Sequence, residues 1–120
     1  MGNELSCVLH GVPDEIINNP ELIKTSLIDG LRMENFTILE LVEHIFTPQR
    51  YSVLALLSES HAAIHTYPEH NSIAFHLYSN RGPSDGNTTL EYLEKTLSPK
   101  SIDRGGHQVV VVADTNLKTE

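Results

Sequence analysis

The chain has 120 residues, with 16 acidic against 8 basic side chains and a net charge of −8, so residues 1–120 make a single domain with a core of its own and no room for a second. That charge disfavours nucleic acid and anionic membrane surfaces by repulsion and points to a small cationic or zwitterionic ligand. The single cysteine, Cys7, makes no internal disulfide, no apolar run nears the roughly 20 residues of a membrane span, and the first residues lack a secretory pattern, so a reducing cytoplasm is the expected location.

In chain order, Glu4 to His10 reads as a short strand with Leu5, Val8 and Leu9 as its apolar members, ended by Gly11-Val12-Pro13. Cys7 is expected to be a small buried core residue. From Asn19 to Asn35 the period becomes helical. Asn19 is placed to cap, Pro20 suits the first helical position, and Leu22, Ile23, Leu27, Ile28 and Leu31 recur on one face. Phe36 to Phe46 is rich in β-formers, and Thr47-Pro48-Gln49 turns the chain into a further strand, Tyr51 to Leu57. His61 to Tyr67 and Ser72 to Ser79 follow as strands around a turn at residues 68–71. After a polar loop at residues 81–87, Thr88 or Thr89 opens a second helix carrying Leu90, Tyr92, Leu93 and Leu97, which Ser98-Pro99 stops. Beyond Gly105-Gly106, Gln108 to Ala113 reads as an apolar strand, and Asp114 to Glu120 as a polar tail.

This order predicts an α+β fold, a two-layer sandwich in which two helices pack on one face of an antiparallel β-sheet. The other face then needs water or a partner, and a second copy is the economical cover if that face is apolar. A hairpin turning at Glu59-Ser60 pairs residues whose numbers sum to about 119, and the next hairpin residues summing to about 140. On that register Ser52 lies beside His65 to Tyr67 and Asn80 lies across from Ser60, which gathers Ser52, Ser60, His65 and Asn80 toward one region of the sheet. His61 and His65 share a strand face, and with His70 or His76 they offer a rival metal site. That rival is set aside because turn histidines without carboxylate or thiolate help rarely converge, and no metal is expected.

The stretch Leu57-Ser58-Glu59-Ser60-His61-Ala62-Ala63-Ile64-His65-Thr66-Tyr67-Pro68-Glu69 closely resembles the self-cleavage site of the bacterial S-adenosylmethionine decarboxylases, and the resemblance runs over most of the chain. It implies that the Glu59-Ser60 bond breaks itself and that Ser60 becomes an N-terminal pyruvoyl group, a covalent cofactor. In such a reaction the Ser60 hydroxyl attacks the Glu59 carbonyl carbon, an ester forms, and loss of the Ser60 α-proton eliminates the Glu59 carboxylate; oxyanion or hydroxyl stabilisation and a base are needed. The resemblance gives those roles to Ser52 and His65. It further implies that the pyruvoyl ketone takes the substrate amine as a Schiff base and accepts the electrons left by carbon dioxide, supplying the aminopropyl donor for spermidine synthesis. Phe46 and Tyr67 match the two rings that sandwich adenine and face the sulfonium, and Glu69 matches the glutamate on the ribose hydroxyls. Stacking and cation-π contacts suit such a ligand. A homodimer of processed protomers is the expected assembly.

The chain departs from the family where a cysteine followed by glycine usually protonates the substrate carbon: here Asn80 is followed by Arg81, and an amide has no titratable proton to give. The end of the first strand differs too, with Val8-Leu9-His10-Gly11-Val12 in place of acidic and aromatic residues. Three readings follow: an S-adenosylmethionine decarboxylase with another proton donor, such as His65, Tyr67 or water; a pyruvoyl decarboxylase of arginine or ornithine; or a catalytically weak partner subunit. Ser52, Glu59, Ser60 and His65 argue against the third, and Phe46, Tyr67 and Glu69 favour the first.

Overall fold

The computed structural model describes residues 1–110. Its elements are β1 (Gly2–His10), a short α1 (Asp14–Ile17), α2 (Pro20–Met33), β2 (Ile38–Phe46), β3 (Arg50–Leu57), β4 (Ser60–Tyr67), a 3-10 turn (Pro68–His70), β5 (Ser72–Ser79), α3 (Asn87–Leu97) and β6 (Ser101–Val109). The strands form one six-stranded sheet in the order β2-β3-β4-β5-β1-β6, with every neighbour antiparallel. The expected two-layer α+β sandwich is the one observed.

Local chemistry explains the helices. The Asn19 side chain accepts the Leu22 N–H at 3.2 Å and Pro20 follows it, which satisfies a donor that the first helical turn leaves open. One face of α2 then buries Ile23, Leu27 and Leu31 completely, each worth about 1.5–3 kcal/mol relative to exposure. α3 begins after Gly86, which has no side chain to cap with. Glu34, just past the end of α2, supplies the cap instead: its carboxylate accepts the Gly86 N–H at 2.6 Å and the Thr89 N–H at 2.9 Å. Leu90, Leu93 and Leu97 complete the helical side of the core.

Alternation divides the sheet cleanly. Leu5, Cys7 and Leu9 of β1, Tyr51, Val53, Ala55 and Leu57 of β3, Ala62 and Ile64 of β4, and Ile73, Phe75 and Leu77 of β5 are buried toward the helices. The alternate residues stand on the open face. There Val42, Leu54 and Leu56 are 63%, 48% and 52% exposed, and with Ala63 they line a shallow apolar depression of about 300 Å³.

The last strand differs from the sequence expectation. β6 spans Ser101–Val109 and contains Gly105-Gly106, which were expected to precede a strand at Gln108 to Ala113; residues 111–113 and the expected tail lie outside the described residues. Pairing with β1 sets this strand, from Gly2 opposite Val109 to His10 opposite Ser101. As an edge strand with most side chains exposed, it carries no apolar alternation to read. Gly106 has φ 147°, and a Cβ there would lie 2.1 Å from the Glu4 carbonyl oxygen, so the glycine allows a close strand approach. β2 alternates imperfectly for a different reason, a register shift between Ile38 and Glu40.

Candidate active site

Ser60 is the first residue of β4 and is buried, whereas Glu59 before it is exposed. The Ser60 hydroxyl oxygen is buried with no hydrogen-bond partner among the described residues. Such a group carries a desolvation penalty of about 1–3 kcal/mol, and at the Glu-Ser step its oxygen is not tied up by a competing hydrogen bond among the described residues. Opposite it in the register stands Ser79, and opposite Ser79 on the next strand stands Asn3. Asn3, Ser60 and Ser79 are all buried on the helix-facing side. Ser79 donates its hydroxyl to Asp85 Oδ2 at 2.5 Å, and the same carboxylate oxygen accepts the Gly82 N–H at 2.9 Å.

Ser52 and His65 are direct cross-strand partners, as expected, and the Ser52 hydroxyl lies 2.6 Å from His65 Nδ1 on the open face. This contact holds the ring in place, and in the tautomer whose Nδ1–H donates to the Ser52 oxygen, Nε2 is the nitrogen left to accept a proton. His44 pairs with Ser52 on the neighbouring strand. Phe46 closes β2 with its ring 4.5 Å from that of His44, edge to face. Tyr67 ends β4 with the Arg50 guanidinium 4.8 Å from its ring centroid, and Glu69 follows in the 3-10 turn, exposed. Ser52, His65, Phe46, Tyr67 and Glu69 thus share one end of the sheet.

The expectation that Ser60 and Asn80 would join them needs correction. Pairs across the first hairpin sum to 117, as in Ser52 with His65, and across the second to 139, as in Ser60 with Ser79. A slip of one residue moves a side chain to the other face, so Ser79 takes the place expected for Asn80, which lies beyond β5 and is exposed. His65 lies five positions beyond Ser60 along β4, about 16 Å at roughly 3.3 Å per residue. The two groups lie toward opposite ends of the sheet. Asp85, Ser79 and Asn3 were not singled out from sequence; an Asp placed in a polar loop carries no periodic signal, and only the true register reveals its neighbour.

Arg81 is engaged structurally. Its guanidinium donates to the Asn35 and Glu34 carbonyls at 2.9 Å each and lies 3.7 Å over the Phe36 ring, tying the loop to the end of α2. Cys7 is 2% exposed and burial pushes its thiol pKa up. It pairs with Phe75, four positions along β5 from Ser79, so it stands away from Ser60. Of the histidines, His61 stacks on His76 with centroids 5.8 Å apart, and His76 Nε2 lies 3.1 Å from Glu4. Among the described residues no three His, Cys, Asp or Glu side chains are placed to share a metal ion.

The sequence model of the S-adenosylmethionine decarboxylase family matches residues 3–108. The chain is 36% identical over 103 residues to the S-adenosylmethionine decarboxylase proenzyme of Sulfurihydrogenibium sp. (strain YO3AOP1), covering 86% of this chain and 77% of that protein. It is 33% identical over 116 residues to the proenzyme of the same name from Brevibacillus brevis, covering 92% and 87%. The crystal structure of the adenosylmethionine decarboxylase from Aquifex aeolicus VF5 superposes with a TM-score of 0.86 at 28% identity, covering 95% of this chain and 94% of that one. Sheet, helices and the strand-opening serine therefore belong to a class of carboxy-lyases that make a carbonyl cofactor, a pyruvoyl group, from a serine of their own chain. Within that class, the chain belongs to the S-adenosylmethionine decarboxylase family. The family's reaction removes carbon dioxide from S-adenosylmethionine and serves polyamine synthesis.

Proposed function

We propose that this chain is a proenzyme that cleaves itself between Glu59 and Ser60, converts Ser60 to the pyruvoyl group, and then decarboxylates S-adenosylmethionine in the cytoplasm as a homodimer. The observation that carries the reading is the Ser60 hydroxyl, buried and without a partner among the described residues at the start of β4, directly after an exposed Glu59. The position suits the group: a carbonyl formed there needs no phosphate cradle, and it is held by strand pairing with β5. When present, that carbonyl supplies the electron sink for breaking the bond to the carboxylate.

Around it the side chains have separate tasks. His65, with Nδ1 held by Ser52, takes the Ser60 α-proton, and Ser52 offers a hydroxyl for the charge that develops on the attacked carbonyl. Phe46 and Tyr67 stack on the adenine and face the sulfonium, and Glu69 accepts from the ribose hydroxyls. Because His65 lies about 16 Å along the strand from its own Ser60, a second copy is required. Two sheets packed open face to open face about an axis running across the strands bring opposite ends together. Each site then brings the Glu59-Ser60 backbone of one chain to Ser52, His65, Phe46, Tyr67 and Glu69 of the other. The exposed Val42, Leu54 and Leu56 are what such packing covers.

Mass spectrometry of the purified protein tests the first step: fragments 1–59 and 60–120, the latter beginning with pyruvoyl, are expected, and Ser60→Ala remains whole. Carbon dioxide release measured from S-adenosylmethionine, arginine and ornithine tests the second, with S-adenosylmethionine turned over best. A wild-type chain that stays intact through prolonged incubation removes the enzyme reading.

A further inference from the structure

The self-cleavage proposed above begins with the Ser60 hydroxyl losing its proton, and neither Ser52 nor His65 of the same chain can reach it. On the helix-facing side, by contrast, Asn3, Ser79 and Ser60 form a buried polar row across β1, β5 and β4, ending against Asp85. A serine hydroxyl has one proton to give and two lone pairs to accept with. Ser79 commits its proton to Asp85 Oδ2 at 2.5 Å and accepts the Arg81 N–H at 3.2 Å, which leaves one lone pair. Ser60 has a proton and no acceptor among the described residues. Directly opposed strand residues have Cβ atoms about 4.5–5.5 Å apart, so a χ1 rotation of Ser60 brings the two hydroxyls into contact. Asp85 is itself well held: its carboxylate accepts the Gly82 N–H and has Arg81 Nε at 3.7 Å, and its carbonyl accepts the Asn3 amide at 2.8 Å.

We propose that Asp85, acting through Ser79, takes up the hydroxyl proton of Ser60 during self-cleavage and returns it to the Ser60 nitrogen, an inference that rests on the self-cleavage reading. As Ser60 Oγ bonds to the Glu59 carbonyl carbon, its proton passes to Ser79 Oγ and the Ser79 proton passes to the Asp85 carboxylate. When the Glu59–Ser60 C–N bond breaks, the proton travels back to the leaving nitrogen. The sum is an N-to-O acyl shift, an amide and a hydroxyl becoming an ester and an amine, with no other reactant. Once Ser60 has rotated, Ser79 is the group that meets the reacting oxygen, and Asp85 is a positioning residue that acts through it.

The test follows cleavage of the full-length chain by mass spectrometry from pH 5 to 9 in wild type, Asp85→Asn, Ser79→Ala, Ser79→Thr and His65→Ala. Removing a general base slows a reaction by about 10²–10⁴-fold, so Asp85→Asn and Ser79→Ala are expected to slow cleavage at least 100-fold, while Ser79→Thr, which keeps the hydroxyl, cleaves close to wild type. Asp85→Asn should speed up with rising pH where wild type has levelled, since hydroxide replaces the lost base. Hydroxylamine, which splits esters, distinguishes the step: it cleaves the ester that accumulates in His65→Ala and releases nothing from Asp85→Asn, where no ester forms. If wild type never cleaves, the self-cleavage reading and the relay fall together. If wild type cleaves and folded Asp85→Asn keeps pace or accumulates ester, the relay alone is overturned. Should Asp85→Asn fail to fold, the serine pair decides, and a Ser79→Thr as slow as Ser79→Ala overturns the proposal.

Discussion

Asn80 follows the last residue of β5, exposed and one position past the serine that faces Ser60. An amide there cannot deliver the proton that the substrate carbon needs once carbon dioxide has left. Loss of carbon dioxide depends on the electron sink and should still occur, but protonation should be slow and poorly directed. Proton delivery to the wrong carbon leaves alanine at position 60 in place of the pyruvoyl group. Asn80→Cys is therefore expected to raise turnover and lower the alanine share at the new N-terminus, with S-adenosylmethionine affinity nearly unchanged. Carbon dioxide release and the mass of the second fragment measure both. An unchanged rate and alanine share would show that another group already gives the proton. Cys7 is not that group, because its thiol is buried in the core opposite Phe75, away from Ser60. At this scale the sequence is informative where a motif is contiguous, and the Ser52–His65 pairing could be read from the hairpin. Ser79 and Asp85 could not, because a register error of one residue exchanges Ser79 for Asn80 and turns the side chain to the other face.

The β2–β3 hairpin has little helix to lean on, since nearly all of β2 is exposed. One tie comes from Tyr51, 1% exposed, whose hydroxyl donates to Glu43 Oε1 at 2.7 Å while Lys24 of α2 lies 3.1 Å from Oε2 of the same carboxylate. Burial first, and then the Glu43 hydrogen bond, raise the Tyr51 pKa above the ordinary value of 10.0. The folded chain holds the phenol proton more tightly than the unfolded chain, so this stabilisation is fully present below pH 10 and is lost as pH rises above it. Tyr51→Phe, in a Ser60→Ala background that keeps the chain whole, should destabilise by about 1 kcal/mol at neutral pH, because Glu43 keeps Lys24 as a partner. Above pH 10 the gap should narrow. Urea unfolding at the two pH values measures it, and a gap that widens at high pH would contradict the assignment. Elements with their own signals were legible in sequence: the Asn19-Pro20 start of α2, its apolar face, and the alternation of β3, β4 and β5. β6 was not, since its place comes from pairing with β1 and from the two glycines that admit that pairing.

At the scale of the molecule, the sheet carries two separate groups of candidate residues on one chain. Ser60, with Ser79 and Asp85, stands at one end of β4, and Ser52, His65, Phe46, Tyr67 and Glu69 gather at the other. Alternation was enough to predict that one face would lack helices. It could not show that the residues named by the motif lie toward both ends, because a strand's length separates residues that a motif lists together. If a second copy joins the halves, two inactive variants should repair one another. Ser60→Ala cannot be cleaved and His65→Ala lacks the base, yet a mixed dimer holds one site with Ser60 from the second chain and His65 from the first. Co-expressed in equal amounts with random pairing, about half of the His65→Ala chains then belong to mixed dimers and should be cleaved, while the Ser60→Ala chains stay whole. Leu54→Glu on both chains puts a charge into the apolar open face and should give monomers that neither cleave nor complement. Sedimentation of the mixtures beside mass spectrometry separates the outcomes. Mixed dimers that form but leave the His65→Ala chain uncleaved would mean that each chain works with its own His65, against the 16 Å or so that the strand puts between it and Ser60.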